Sequence, residues 1–344
     1  MKKIKIDFVD FWCIDKNNNK ITNILKERYE VCITQKNPDY IFCSVFGTSH
    51  LKYKNAIKIL VLGENISPNF DLYDYAIGFY DIKYEDRYLK HNILLEEEVY
   101  NIIKKRFKFD TVKNKFCSFV YRECALNKKR VELLNKLNEY KKVDCGGKLK
   151  NNIGKTIGKR KIDKIKFQSQ YKFVIACENQ RFPEYNTEKI FEAFASNAIP
   201  IYWGDPLIDK IYNEKAFINC DDFKSLDEML DFVRELDSND KKYLEMLNQP
   251  IFKEEKFFEN QQEQLKQFLY NIFDKDIKSA KKIYFNSNYY SYIFYKKYIL
   301  FNKIYDFYSR IVKRIKQFKR KIYRKMWITI FIVNKGIYPI FFDF

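Results

Sequence analysis

The sequence predicts an α/β protein: two Rossmann-like domains facing a central cleft, followed by a basic amphipathic C-terminal tail. Three observations predict it. Short apolar runs alternate with helix-patterned segments along the first 270 or so residues, the signature of parallel sheets covered by helices. The stretch Phe173–Pro206, FVIACENQRFPEYNTEKIFEAFASNAIPIYWGDP, reads as strand, loop, helix, strand. Charge is also segregated. From Lys278 to Phe344 there are 16 Lys/Arg against 2 Asp/Glu, while the rest of the chain carries only +5 of the net +19. A length of 344 residues suits two domains of roughly 150 residues each plus an extension.

The elements follow in order. Ile4 to Val9 alternates apolar and polar residues and reads as a first strand. Asp7 and Asp10 interrupt its apolar character and no small-residue cleavage site follows, so MKKIKIDFVDFW does not read as a signal peptide. Asn19 to Arg28 is helix-like. Val31 to Thr34, Tyr40 to Val45, Ala56 to Leu62 and Tyr75 to Gly78 are strand-like. A second unit begins near Lys115, with a strand Phe116 to Tyr121, a helix Lys128 to Leu137 and a short strand at Val143-Asp144. Polar, lysine-rich Lys148 to Lys172 reads as a mobile loop.

Phe173-Val174-Ile175-Ala176 is a buried strand. Thr187 stands as a cap before a helix opening on Glu188 and Lys189. Ile199 to Trp203 is the next strand and Gly204-Asp205-Pro206 a turn. Ala216 to Asn219 completes the strands, and Leu226 to Leu236, Asp240 to Leu247 and Phe257 to Phe273 are helices. The expected domains are 1–110, 111–277 with the closing helix, and a tail of 278–344.

Composition narrows the function classes. The basicity belongs to the tail and not to the body, which argues against nucleic-acid binding by the fold. Eight cysteines stand without a CxxC pair and beside only two histidines. They read as free thiols of a reducing compartment and not as a zinc site. There is no P-loop and no GxGxxG, and Asp221-Asp222 reads as a helix cap. In the tail, Phe307, Ile311, Ile315, Phe318, Ile322 and Met326 fall three and four apart, with Lys and Arg on the other faces. Such a helix suits a membrane surface; the alternative is packing on its own domain or on a partner chain. The apolar run Met326 to Val333 is too short to span, which takes about 20 residues.

The candidate chemistry lies at strand and helix ends. Glu64 follows the strand Ile59–Leu62 in Gly63-Glu64-Asn65, where a carboxylate facing the cleft serves as a general base or is simply a solvated loop acid. Arg130 and Lys189 are cations expected at helix amino ends, against the helix dipole. A phosphate bound between them and the helix resolves that conflict; exposed surface cations are the plain alternative. Glu188 suits sugar hydroxyls or a favourable first turn, and Tyr185 a ring contact or the core.

These residues also carry a family likeness. CENQRFPEYNTEKIFEAFASNAIPIYWGDP resembles the donor-binding signature of the α-1,3-fucosyltransferases of glycosyltransferase family 10, F-E-N…Y-x-T-E-K…A…P-Y-x-G-x-P. LGENISPNFDLYDYAIGFYDIKYEDRYLK resembles the acceptor-side segment of the bacterial members that build Lewis-type antigens on lipopolysaccharide, and VDCGGKLKNNIG their VDSGGxxxNNxG segment. The likeness covers roughly residues 1 to 270. Two departures are Cys177 in place of the usual Phe, and Asn197-Ala198 where a glycine-containing turn is common. The heptad repeats of some members are not visible, which leaves oligomeric state open.

The resemblance implies a GT-B fold with an acceptor domain followed by a donor domain. It implies inverting transfer of L-fucose from GDP-β-L-fucose to the 3-hydroxyl, or the 4-hydroxyl, of N-acetylglucosamine in lactosamine-type glycans. By the same resemblance Glu64 is the catalytic base. The donor contacts are Arg130, Glu178, Asn179, Tyr185, Thr187, Glu188 and Lys189. No cofactor and no essential divalent metal are expected. The expected partners are GDP-fucose, the glycan acceptor and, through the tail, the anionic inner face of the cytoplasmic membrane, with no nucleic acid. Rival readings are a GT-B transferase using another nucleotide sugar, and a catalytically decayed glycan-binding membrane protein.

Overall fold

The computed structural model describes residues 1–106, 108–122, 128–158 and 160–283, and beyond them 293, 297, 300, 301, 303–305, 307–312, 314 and 315. Met1–Ile283 is one compact unit and 284–344 a second.

The first lobe is a six-stranded parallel sheet of order β2-β1-β3-β4-β5-β6. Its strands are β1 Lys2–Val9, β2 Tyr29–Ile33, β3 Tyr40–Cys43, β4 Ile57–Val61, β5 Tyr75–Gly78 and β6 Tyr88–Lys90. Helix α1, Lys20–Lys26, joins β1 to β2, and the Asn19 side chain accepts from the Thr22 N–H as its cap. Helix α2, Glu97–Lys104, follows β6. Neither β6 nor α2 was predicted from the sequence. The former is only three residues long, and the latter sits in a run that opens on three glutamates.

The second lobe is a five-stranded parallel sheet of order β11-β10-β9-β7-β8. Its elements in chain order are β7 Lys115–Phe119, α3 Lys129–Asn138, β8 Val143–Cys145, α4 Lys161–Gln168, β9 Tyr171–Cys177, α5 Glu188–Ala195, β10 Ile199–Trp203, β11 Ile218–Asn219, α6 Leu226–Ser238, α7 Asp240–Leu247, α8 Phe257–Phe273 and α9 Ile277–Ala280. All seven residues of β9 are buried, as a central parallel strand requires. Phe173, Ile175 and Cys177 face the core under α3, α6 and α7, while Val174 and Ala176 face the core under α5 and α2. Pro200 has no N–H to give; β11 pairs only with Ile201 and Tyr202 and leaves Pro200 beyond that ladder. Asn197, in the turn noted above as a departure, takes φ 54° after α5, a left-handed conformation that Asn tolerates.

Three expectations are corrected. Lys148–Lys172 is not a continuous loop, because α4 forms within it, opened by Asp163, whose carboxylate accepts from the Arg160 N–H and guanidinium. The predicted strand Ala216–Asn219 is only Ile218–Asn219, since Glu214–Ala216 is a 3-10 turn. The closing helix α8 is not confined to the second lobe. Its first turn places Phe258 on Tyr100 of α2, ring centroids 4.0 Å apart, in the second lobe's core. Its later turns bury Leu265, Leu269, Ile272 and Phe273 against β1, β3 and β4. Conversely α2, which follows the first sheet in sequence, packs on α5. The lobes therefore exchange helices, and α8 ties them together.

The tail boundary also moves. Lys278 to Ile283 belong to the first unit. The Asp74 carboxylate, fully buried, accepts from Lys281 Nζ (3.0 Å), Lys282 N (2.7 Å) and Ile283 N (2.8 Å). In the second unit the described residues from 300 to 315 are helical, and Phe307, Ile311 and Ile315 are exposed. Phe318, Ile322 and Met326, the rest of the expected apolar face, lie outside the described residues. Among those described, no helix is long and apolar enough to cross a membrane.

Candidate active site

The loop that leaves β9 lies at the carboxyl end of the second sheet, opposite the carboxyl ends of β4, β5 and β6. Its first residue, Glu178, stays in the wall. The Glu178 N–H donates to Trp203 O at 2.8 Å, and its side chain turns inward, 0% exposed. Gly204 makes the turn possible, since a Cβ there would lie 2.4 Å from Glu178 Cγ. The buried carboxylate accepts from the Thr187 N–H (2.7 Å), from the Thr187 hydroxyl (2.7 Å to Oε2) and from Lys189 Nζ (3.0 Å).

This wiring revises the dipole argument. Lys189 stands in the first turn of α5, where a cation is unfavourable. In the structure the opposing charge is the protein's own. Lys189 donates to Glu178 and to Thr187 Oγ1 (2.6 Å) and lies 3.5 Å from Glu188 Oε1. Burial works against its charge, but Glu178 and Glu188 together outweigh that and hold the ammonium above the ordinary lysine range. Burial likewise opposes ionisation of Glu188, and the charges of Lys189, Lys164 and Lys161 overcome it, so its carboxyl is held low. Thr187 caps α5 by position only, because its hydroxyl serves Glu178 and not the helix N–H groups.

Arg130, in the first turn of α3, is 6% exposed. Its guanidinium lies over the Tyr121 ring, 4.4 Å from the centroid. It donates to Cys177 O (3.2 Å) and to Asn179 Oδ1. Tyr121 is fixed in turn: its hydroxyl donates to Ile175 O (2.8 Å) and accepts from Cys177 N (2.6 Å).

Glu64, in the loop after β4, meets this array from the other lobe. The Asn179 amide and the Lys189 ammonium are the groups that favour its ionised form. Burial is the largest influence on Glu64 and raises its pKa, while Lys189 and Asn179 pull the other way. Asn179 thus stands between Glu64 of one lobe and Arg130 of the other, bonded to the guanidinium and favouring the carboxylate.

The two sides are laced together. Asn65 Nδ2 donates to Gln180 Oε1 (2.5 Å), the Asp81 N–H and Lys90 Nζ both reach the Glu184 carboxylate (2.5 Å each), and Asn92 Nδ2 donates to Asn186 O (2.8 Å). Buried Asp205 holds the loop from below, accepting from Glu184 N (2.6 Å), Asn186 Nδ2 (2.9 Å) and Leu207 N (2.9 Å).

Of the residues singled out in the sequence, Glu64, Arg130, Asn179, Glu188 and Lys189 converge on one place. Glu178, Thr187 and Tyr185 are behind it. Tyr185 is 1% exposed and meets Phe79 edge-on at 5.3 Å, closing the wall between the lobes. All three side chains are buried, and the partners they have in this structure are protein groups. The sequence reading missed Tyr121, Glu184 and Asp205. Only Asp205 carried a signal, its place in the Gly-Asp-Pro turn. Among the described residues no cluster of three or more His, Cys, Asp or Glu could hold a metal ion. Asp221 pairs with Arg181 at 2.9 Å, and seven cysteines are free; Cys124 lies outside the described residues.

Two family models match the chain. Residues 6–100 match the alpha-(1,3)-fucosyltransferase FucT N-terminal domain, and residues 111–275 match the glycosyltransferase family 10 (fucosyltransferase) C-terminal region. The alpha-(1,3)-fucosyltransferase FucT of Helicobacter pylori is 32% identical over 292 residues, 71% of this chain and 59% of that relative's length. A crystal structure of an alpha1,3-fucosyltransferase superposes with a TM-score of 0.68 at 28% identity, covering 80% of this chain and 91% of that one. A crystal structure with GDP-fucose bound superposes with a TM-score of 0.66 at 27% identity, covering 80% and 92%.

Proposed function

The chain belongs to the glycosyltransferase family 10 fucosyltransferases and has their GT-B fold, and from that premise we propose that it transfers L-fucose from GDP-β-L-fucose to N-acetylglucosamine in a lactosamine-type glycan, with inversion. The observation that carries the reading is the line Glu64–Asn179–Arg130, with Lys189 beside it. It sets a half-buried carboxylate of one lobe against two held cations of the other.

The chemistry follows from the placement. Glu64 takes the proton of the acceptor hydroxyl as that oxygen bonds to the anomeric carbon. The bond from that carbon to the diphosphate breaks, its electron pair leaves on GDP, and the β linkage of the donor becomes an α linkage. Arg130 and Lys189 offset the charge growing on the departing phosphate, where fixed cations in a partly buried site act strongly. Glu188, half-buried beside Lys189, is placed to accept from donor hydroxyls. The 3-hydroxyl is the favoured acceptor position, lipopolysaccharide O-antigen the favoured glycan, and divalent metal is not required. The basic tail holds the enzyme at the cytoplasmic face of an anionic membrane.

The test is product analysis. Purified protein given GDP-fucose, GDP-mannose or UDP-sugars, with and without chelator, should consume GDP-fucose alone. It should yield an α1,3-fucosylated type 2 lactosamine. Consumption of another nucleotide sugar, or binding of lactosamine with no donor turnover, sinks the proposal.

A further inference from the structure

Three consecutive strands of the first sheet, β1, β3 and β4, end on the same edge, and the loop after β4 carries Glu64. The loops after the other two carry the large exposed aromatics Trp12 and Phe46. Trp12 is 78% exposed and Phe46 50%, yet their rings meet edge-on at 6.0 Å. Neighbouring strands lie about 4.8 Å apart, so the Trp12 loop stands about 10 Å from the Glu64 loop, with the Phe46 loop between them. An aromatic pair left in solvent beside a reactive edge is out of keeping with core packing and marks a recognition surface.

The two loops are also braced. Asp10, in the left-handed region at φ 63°, accepts the Phe46 N–H on its backbone oxygen at 3.1 Å. Its carboxylate accepts from Ser49 N (2.7 Å), His50 N (3.0 Å) and the His50 ring at Nδ1 (2.7 Å). Tyr73 holds the far side of that ring, 3.2 Å from Nε2. Gly47 leaves the room, since a Cβ there would lie 2.4 Å from Asp10 Oδ1. The backbone between Trp12 and Phe46 is therefore set before any ligand arrives, which removes an ordering cost from binding.

We infer that Trp12 and Phe46 form a sugar-binding platform for the acceptor, stacking on the apolar face of the pyranose residue next to the one that receives fucose. The ligand assignment rests on the transfer reading above. A pyranose offers a flat face of C–H groups to an aromatic ring and hydroxyls at its rim. A platform two strands from the base holds the neighbouring residue while its partner reaches Glu64.

The experiment measures acceptor KM, kcat and acceptor-independent GDP-fucose hydrolysis for the full chain and for Trp12→Ala and Phe46→Ala, with N-acetyllactosamine as acceptor. Both side chains are exposed, so the variants should fold. The expected result is acceptor KM raised about tenfold, the effect of losing one good stacking contact, with hydrolysis unchanged. Unchanged KM in both variants overturns the platform and leaves the transfer reading standing. If the wild-type chain consumes no GDP-fucose, the transfer reading fails and the platform is judged by N-acetyllactosamine binding alone. Binding that shifts Trp12 fluorescence and is lost in Phe46→Ala supports a sugar site, and no binding overturns it.

Discussion

Glu178 shows how much of this site is support. It was legible in the sequence as a charged residue at a strand's end, and so looked like a ligand. What the sequence could not show is that it turns inward, because that depends on Gly204 from another strand and on Thr187 from the next helix. A buried carboxylate that fixes a lysine and a carboxylate that touches a sugar have the same letter and the same neighbours. Glu64, Arg130 and Lys189 were legible because end-of-element charges near a cleft are few. The prediction at this scale concerns Glu178→Gln. It leaves Lys189 buried with its main counter-charge gone, and breaking such a pair costs about 3 kcal/mol. The urea midpoint should fall and GDP-fucose affinity with it. Unchanged stability would mean that Glu188 alone suffices.

Elements divide by how they are buried. β9 and β10 were legible because a strand covered on both faces is an unbroken apolar run. α4, Lys161–Gln168, was not. It has three lysines and buries only Ile165 and Gln168, so it lacks an apolar face strong enough to stand out from its polar surroundings. The face of α8 was legible from its period, but not its partner, since periodicity says which side is buried and not against what. For the tail, the described residues present Phe307, Ile311 and Ile315 to solvent beside Arg310 and Arg314. Full-length protein should therefore co-sediment with anionic vesicles and less so with neutral ones, and the binding should weaken with salt. Equal recovery with both lipids would refute the anchor.

At the scale of the whole molecule, the first 283 residues behave as one body because each lobe lends a helix to the other and the loop 178–187 is laced to β4, β5 and β6. That closure places Glu64 against Asn179 and within the field of Lys189, and no single-lobe reading of the sequence contains it. The fold class and a cleft between two domains were legible; the contacts that close it were not, since they depend on turns and helix exchanges with no short-range signature. The central claim is that Glu64 is the base for fucosyl transfer, and the pH profile of Glu64→Gln beside the wild type tests it most directly. Glu64 acts as its carboxylate, and burial raises its pKa, so wild-type activity should fall as pH drops through a value above the ordinary glutamate range. The variant should bind GDP-fucose normally, lose roughly 10²- to 10⁴-fold in kcat and lose that acidic limb. A folded Glu64→Gln enzyme with near-wild-type turnover and the same pH profile would contradict the account.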